Sequence, residues 1–232
     1  MRILLFGGTT EGRKEALRLH RAGEDVTVCV TSDYAAQLLP EGIRVLTGAM
    51  DGDEMRRLMA RLEPEAVVDA THPYALRATE NIRAAAGALG IPLRRIARPQ
   101  TEGGWRGACR RAGDAACAAA LLAGTQGNVL LTTGSHTLGA FAAAADPSRL
   151  YARVLPTAEA LSLCAAAGIP ASHVIAMQGP FSRALNAALY DQLGIAVLVT
   201  KDGGREGGVE EKVLPALERG IGVILIERPR EA

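Results

Sequence analysis

The residues able to do chemistry in this chain lie in short polar turns. The first turn is Gly7-Gly8-Thr9-Thr10-Glu11-Gly12, directly behind the apolar run Ile3-Leu4-Leu5-Phe6 and ahead of a helix-forming stretch. Glycines at a strand-to-helix turn let the backbone bend tightly and approach a pyrophosphate, whose charge then meets the free N–H groups of the helix start. The spacing departs from G-x-G-x-x-G. It is not a P-loop, because Arg13 and Lys14 stand where Lys and Ser/Thr would have to reach phosphate and Mg²⁺. The turn is read as a dinucleotide site, the plainer alternative being an ordinary strand–helix connection. The next strand-like run ends in Thr31-Ser32-Asp33. Asp33 would hold ribose hydroxyls and favour NADH. Equally, Thr31 and Ser32, with Arg13 near, would take a 2′-phosphate and favour NADPH.

A second turn is Asp69-Ala70-Thr71-His72-Pro73-Tyr74-Ala75, behind the run ending in Val67-Val68. In a parallel sheet that edge is where ligands bind, and Pro73 restricts His72 to an extended backbone. The plain alternative has Asp69 capping a helix and His72 bonded internally. In the second half, three more runs end in polar, glycine-containing turns: Thr132-Thr133-Gly134-Ser135, Gln178-Gly179-Pro180-Phe181-Ser182 and Thr200-Lys201-Asp202-Gly203-Gly204. If the strands are parallel, the three converge on one edge and shape a polar or anionic pocket. Lys201 is the conspicuous charge there, and an ion pair with Asp202 is its plain alternative.

The elements that must position these turns alternate regularly. Strand-like runs are expected at Arg2–Phe6, Asp25–Val30, Arg44–Leu46, Ala66–Asp69, Pro92–Ile96, Asn128–Thr132, Leu150–Val154, His173–Ala176, Val197–Thr200 and Val223–Ile226. Helical stretches are expected at Glu11–Ala22, Asp53–Arg61, Leu76–Leu89, Asp114–Leu122, Thr157–Ala167, Ser182–Gln192 and Glu210–Arg219. Most of the strands lack polar alternation, so they read as buried on both faces. The alternation predicts an α/β protein with doubly wound parallel sheets. The stretch Arg98–Gly113, rich in Gly and holding the one Trp, Trp105, breaks the pattern. It is read as a hinge or lid, with a domain boundary near residues 98–104. That gives an N-terminal dinucleotide-binding domain over 1–100 and a C-terminal substrate domain over 101–232, about five strands each.

Bulk properties remove several classes. The 232 residues carry a net charge of +1, from 26 Lys and Arg against 25 Asp and Glu, so no basic field invites nucleic acid. The four cysteines form no CxxC and no histidine pair has metal-ligand spacing, so neither a disulfide framework nor a metal site is expected. No run reaches the length of a membrane span and no signal peptide is read, making cytoplasmic the default. There is no Tyr-x-x-x-Lys pair and no G-x-S-x-G elbow.

In order and spacing these turns resemble the precorrin-6A and cobalt-precorrin-6A reductases of cobalamin biosynthesis. The likeness runs through the turns at 7–12, 69–75, 132–135, 178–182 and 200–204, and through Arg98-Pro99, Arg153-Val154-Leu155-Pro156 and Arg228-Pro229. The 155–156 and 201–204 segments look more like the cobalt branch. The resemblance implies two Rossmann-like domains with a cleft between them, NADPH or NADH as cofactor, and a corrinoid polycarboxylate as substrate. It also implies reduction of one double bond, with hydride delivered at C19 and a proton at C18. The family's cofactor turn maps onto Gly7, Gly8, Thr9, Thr10 and Glu11, and its ribose region onto Thr31 and Ser32. Arg13, Thr71 and His72 complete the expected cofactor side. Thr133, Gly134, Ser135, Gln178, Gly179, Pro180, Phe181, Ser182, Lys201, Asp202, Gly203 and Gly204 make the expected substrate side. Lys201, His72 and Tyr74 are the candidate catalytic residues. An NADP-binding redox sensor without catalysis, and a reductase of another small molecule, are the competing readings.

Overall fold

A computed structural model of the chain describes residues 1–96 and 103–228. They fall into two compact units, one within Met1–Arg98 and one within Pro99–Arg230. The domain boundary expected near 98–104 falls largely outside the described residues, as do Arg98-Pro99 and Pro229 of the family motifs.

The first unit runs β1 Arg2–Phe6, α1 Thr10–Arg21, β2 Asp25–Val30, α2 Asp33–Gln37, β3 Arg44–Thr47, α3 Gly52–Leu62, β4 Ala66–Asp69, α4 Leu76–Ala88 and β5 Leu93–Arg95. Its five strands are all parallel, in the order β3-β2-β1-β4-β5. Alternate residues of β1 feed opposite cores. Ile3 and Leu5 pack with Ala16 and Leu19 of α1, while Leu4 and Phe6 pack with Met55 and Met59 of α3 and Ile82 of α4. This two-sided burial explains why the strands carry no polar face. Local signals fix the helix starts. Asp51 and Glu54 form a reciprocal capping box on α3, and Thr9 caps α1.

The second unit runs β6 Arg110–Ala112, α5 Ala115–Ala123, β7 Asn128–Thr132, α6 Leu138–Ala144, β8 Leu150–Val154, α7 Ala158–Ala166, β9 Val174–Ala176, α8 Arg183–Gln192, β10 Ile195–Lys201, α9 Val209–Leu217 and β11 Gly222–Ile226. Its sheet is also all parallel, in the order β6-β11-β10-β7-β8-β9. The core on one face joins Leu130, Leu198, Val223 and Leu225 to Tyr190 of α8 and Val209, Val213 and Ala216 of α9.

The expected strands and helices are all present, with ends shifted by one or two residues. Three elements were not expected: α2, α6 and β6. The stretch read as a hinge or lid contains, among its described residues, a 3-10 turn, Gly104–Ala108, and the edge strand β6 beside β11. Arg110 and Arg111 are exposed, so the strand forms through backbone pairing along one edge rather than through an apolar pattern.

Candidate functional site

In each parallel sheet the polar turns leave the carboxyl edge, where helix starts present unpaired N–H groups. In the first unit the strand order reverses between β1 and β4, and the 7–12 turn sits at that point. Its backbone is tied on both sides. Gly7 N–H donates to Cys29 O at 2.8 Å, and the buried Thr9 hydroxyl donates to Ala70 O at 2.9 Å while accepting from Gly12 N–H at 3.0 Å. Thr9 is thus a brace for the turn. Gly8 has φ +114°, a backbone state that disfavours side chains, and a Cβ on Gly12 would stand 3.1 Å from Ala70 Cβ. Gly12 therefore lets α1 pack close against the strand, one of the glycine roles in a dinucleotide turn.

A cavity of about 470 Å³ opens at this edge. Gly7, Thr31 and Thr71 from the expected turns line it, together with Phe6 at the end of β1 and with Asp51, Arg77 and Asn81, which sequence reasoning missed. Arg77 and Asn81 are one helical turn apart on α4, a spacing that puts them on one face. No side chain caps the start of α4. Gly8, Thr10, Glu11, Arg13, Ser32 and His72 are not among the lining residues. Ser32 caps α2, accepting from Ala35 N–H at 3.3 Å, and Arg13 donates to the Thr10 hydroxyl at 3.2 Å. Asp33 is exposed as the first residue of α2. Cys29, buried against the cavity, has its thiol pushed up to about 12 by burial.

The Asp69–Ala75 turn is organised by a fully buried carboxylate. Asp69 Oδ1 accepts from Thr71 N–H at 2.9 Å and from the Thr71 hydroxyl at 2.8 Å, and lies 2.7 Å from Arg95 Nη1. Asp69 does not cap α4, whose N-cap is Ala75. His72 and Tyr74 are brought together, with ring centroids 5.5 Å apart and Tyr74 N–H donating to His72 Nδ1 at 3.3 Å.

In the second unit the turns after β7, β9 and β10 leave the same edge of the sheet. The buried Thr133 accepts from the Thr137 hydroxyl at 2.8 Å, Gly134 has φ +86°, and Ser135 starts a 3-10 turn. Gln178, Gly179 and Pro180 are exposed, Phe181 is half-buried, and Ser182 caps α8, accepting from Leu185 N–H at 3.2 Å. Lys201 ends β10 half-buried, and burial lowers its pKa. Asp202 is fully buried and pairs with Arg106 at 2.8 Å, with Arg228 Nη2 3.8 Å away. Arg228 Nε also donates to Asp202 O at 2.8 Å. The acid therefore anchors the turn from inside. Gly203 packs against Gly207, whose Cα would stand 3.2 Å from an added Cβ.

Two residues given no role in the sequence reading stand out beneath these turns. Arg153, near the end of β8, is 6% exposed, donates to Asn186 Oδ1 at 2.7 Å and stacks 4.2 Å from the Phe181 ring. Lys212 lies on α9. A sequence signal for it exists: at positions 209, 212, 213 and 216 it shares a helical face with Val209, Val213 and Ala216, all buried.

Two all-parallel α/β units, the first opening on a braced glycine turn beside a cavity at the switch point, define a doubly wound protein of the dinucleotide-fold class. Over residues 2–232 the chain matches the family described as Precorrin-6x reductase CbiJ/CobK, and it belongs to that family. It is 38% identical to the cobalt-precorrin-6A reductase of Methanothermobacter thermautotrophicus, over 99% of this chain and 77% of the relative. It is 36% identical to the cobalt-precorrin-6A reductase of Priestia megaterium, over 98% of this chain and 91% of the relative. Among solved structures, a CobK precorrin-6A reductase superposes with a TM-score of 0.78 at 25% identity, covering 100% of this chain and 89% of that one.

Proposed function

We propose that the chain reduces cobalt-precorrin-6A with NADPH as a step of cobalamin biosynthesis in the cytoplasm. The first unit would hold the nicotinamide dinucleotide and the second the corrinoid. The braced glycine turn carries this reading: Gly7 lines the 470 Å³ cavity at the switch point of the first sheet, and a Cβ at Gly7 or Gly12 would press on Leu5 and Val28 or on Ala70, so the close turn requires glycine at both. The residues present fit a dinucleotide. Amides of Gly8, Thr10 and Glu11 suit the pyrophosphate, and the Thr31 hydroxyl suits a 2′-phosphate. Asp33, the acid expected to hold ribose hydroxyls, does not line the cavity, while Thr31 and Arg77 do, which favours NADPH over NADH. The cobalt form is favoured because the relatives of 38% and 36% identity carry that name.

When bound, the nicotinamide supplies a hydride. The chain's own residues do the rest. His72 and Tyr74 would stand near the nicotinamide or the corrinoid ring. The turns at 132–136, 178–182 and 200–204 seat the substrate, with Asp202 holding the last of them in shape. Lys201 faces an acidic arm or the site of protonation, and its partial burial makes proton release easier than in water. The test is anaerobic incubation with cobalt-precorrin-6A and NADPH or NADH, following loss of the reduced nicotinamide absorbance. Corrinoid-dependent oxidation, faster with NADPH, is expected. Binding of NADPH without corrinoid-dependent oxidation would leave the sensor reading in its place.

A further inference from the structure

Arg153, buried near the end of β8, and Lys212, half-buried on α9, are cations that make no ion pair among the described residues. Arg153 is more than nine-tenths buried, yet only its Nη1 is used, on Asn186 Oδ1; Nε and Nη2 make no hydrogen bond to the described residues. Its orientation is fixed. Phe181 covers one face of the guanidinium, and Asn186 is itself held by Nδ2 donating to Ser182 O at 2.9 Å. The Lys212 ammonium likewise forms no ion pair or hydrogen bond among the described residues, while the Lys212 carbonyl accepts from the Tyr190 hydroxyl at 2.9 Å, tying α9 to α8.

A buried cation normally has a counter-charge, because desolvation is costly. The charged and titratable groups around Lys212 are Arg153 from β8, Glu211 from α9 itself and Asp202 from the turn after β10. Asp202 is taken by Arg106, and Glu211 has Oε2 buried with no hydrogen-bond partner. Burial first, and Arg153 next, push Lys212 down to about 7, with the two acids opposing. Burial lowers Arg153 to about 10, with the Tyr190 phenol of α8 opposing and no carboxylate taking part. Two exposed apolar side chains flank the end of β8: Leu155 and Met177 are 50% and 44% exposed, and Met177 N–H donates to Val154 O at 3.0 Å. Open donors beside two exposed apolar side chains suit a ligand with an apolar body and acidic arms.

We propose that Arg153 and Lys212 form a carboxylate-binding subsite that takes one acidic arm of the macrocyclic substrate, a role that rests on the corrinoid-reductase reading. Carboxylate binding favours protonated Lys212, so binding takes up a proton and weakens as pH rises above about 7. The experiment is absorbance titration of the protein with cobalt-precorrin-6A under anaerobic conditions without nicotinamide, from about pH 6 to about pH 9. Wild type is compared with Lys212→Met and Arg153→Lys, and Tm and NADPH affinity are recorded for each. Lys212→Met is expected to raise Kd about tenfold or more near neutral pH and to abolish the weakening at higher pH, with NADPH affinity unchanged. Arg153→Lys keeps the charge but not the fork, and is expected to raise Kd several-fold. Unchanged Kd in both variants, or a wild-type Kd flat across the pH range, would overturn the subsite while leaving the reductase reading intact. Tight, pH-dependent binding without turnover would uphold the subsite and sink the reductase reading. Failure of wild type to bind the corrinoid would end both.

Discussion

Replacing Arg106 by Met should unsettle the second unit more than any surface substitution. Arg106 is the 2.8 Å partner of Asp202, whose carboxylate is fully buried. Removing it leaves Oδ1 with Arg228 at 3.8 Å and a long 3.3 Å bond from Gly204 N–H. Breaking a buried pair on one side costs about 3–5 kcal/mol because the remaining charge stays uncompensated. Arg228 still supplies part of the field, which lowers the expected loss to roughly 2–3 kcal/mol. Part of it should return in the double replacement Arg106→Met with Asp202→Asn, which removes the stranded carboxylate but takes the counter-charge from the buried Arg228. Urea unfolding followed by Trp105 fluorescence reads this unit directly, since Trp105 is the one Trp and its Nε1 donates to Glu210 at 3.2 Å. Turnover should fall with the single replacement, through KM for the corrinoid, because the 200–204 turn loses its anchor. A loss under about 0.5 kcal/mol, or strictly additive effects in the double replacement, would show that Asp202 is not held in this way.

Thr9→Val removes both the α1 cap and the bond to Ala70 O, and should cost about 1–2 kcal/mol in chemical denaturation while weakening NADPH binding; Thr9→Ser should restore both. Gly8→Ala meets open space but a φ of +114°, so calorimetric titration should show weakened NADPH binding, together with a stability loss of about 1–3 kcal/mol from backbone strain. The pH dependence of stability should differ between wild type and Lys212→Met. The Lys212 pKa falls from 10.5 in the unfolded chain to about 7 in the fold. Between those values the unfolded state binds the proton that the native state has released, so this lysine makes wild type more stable as pH rises. The penalty is fully present below about 7. Relative to Lys212→Met, wild type should gain up to about 1.4 kcal/mol per pH unit in that window, and a difference that stays flat would refute the burial of the ammonium.

The strands were legible because a strand buried on both faces writes itself as an uninterrupted apolar run, as in Ile3-Leu4-Leu5-Phe6 or Val129-Leu130-Leu131. What stayed hidden lacked that burial. Strand β6 offers Arg110-Arg111-Ala112 to a single neighbour, so its backbone pairing leaves no apolar trace. Helix α2 buries none of its residues, and α6 buries only Leu138 and Phe141 within an alanine run. The glycine turn was legible because its function is a backbone geometry, and few residues other than Gly tolerate it. Asp51, Arg77 and Asn81 line the same cavity but arrive there from α3 and α4, whose placement depends on the packing of the whole sheet.

Charged residues at buried or half-buried positions fall between these cases. Arg153 lies in the same strand as the buried Leu150, Ala152 and Val154, and Lys212 interrupts an apolar helical stripe. The sequence can therefore mark both as anomalies, since an unpaired charge there works against folding unless something compensates it. What it cannot supply is the pairing. Asp202 and Arg153 both stand at the carboxyl edge of the second sheet, yet the first is neutralised by Arg106 from a turn nearly a hundred residues earlier, and the second is left with open donors. The first charge is thereby structural and the second available to a ligand, a distinction set by which partners the fold brings within reach and not by residue type.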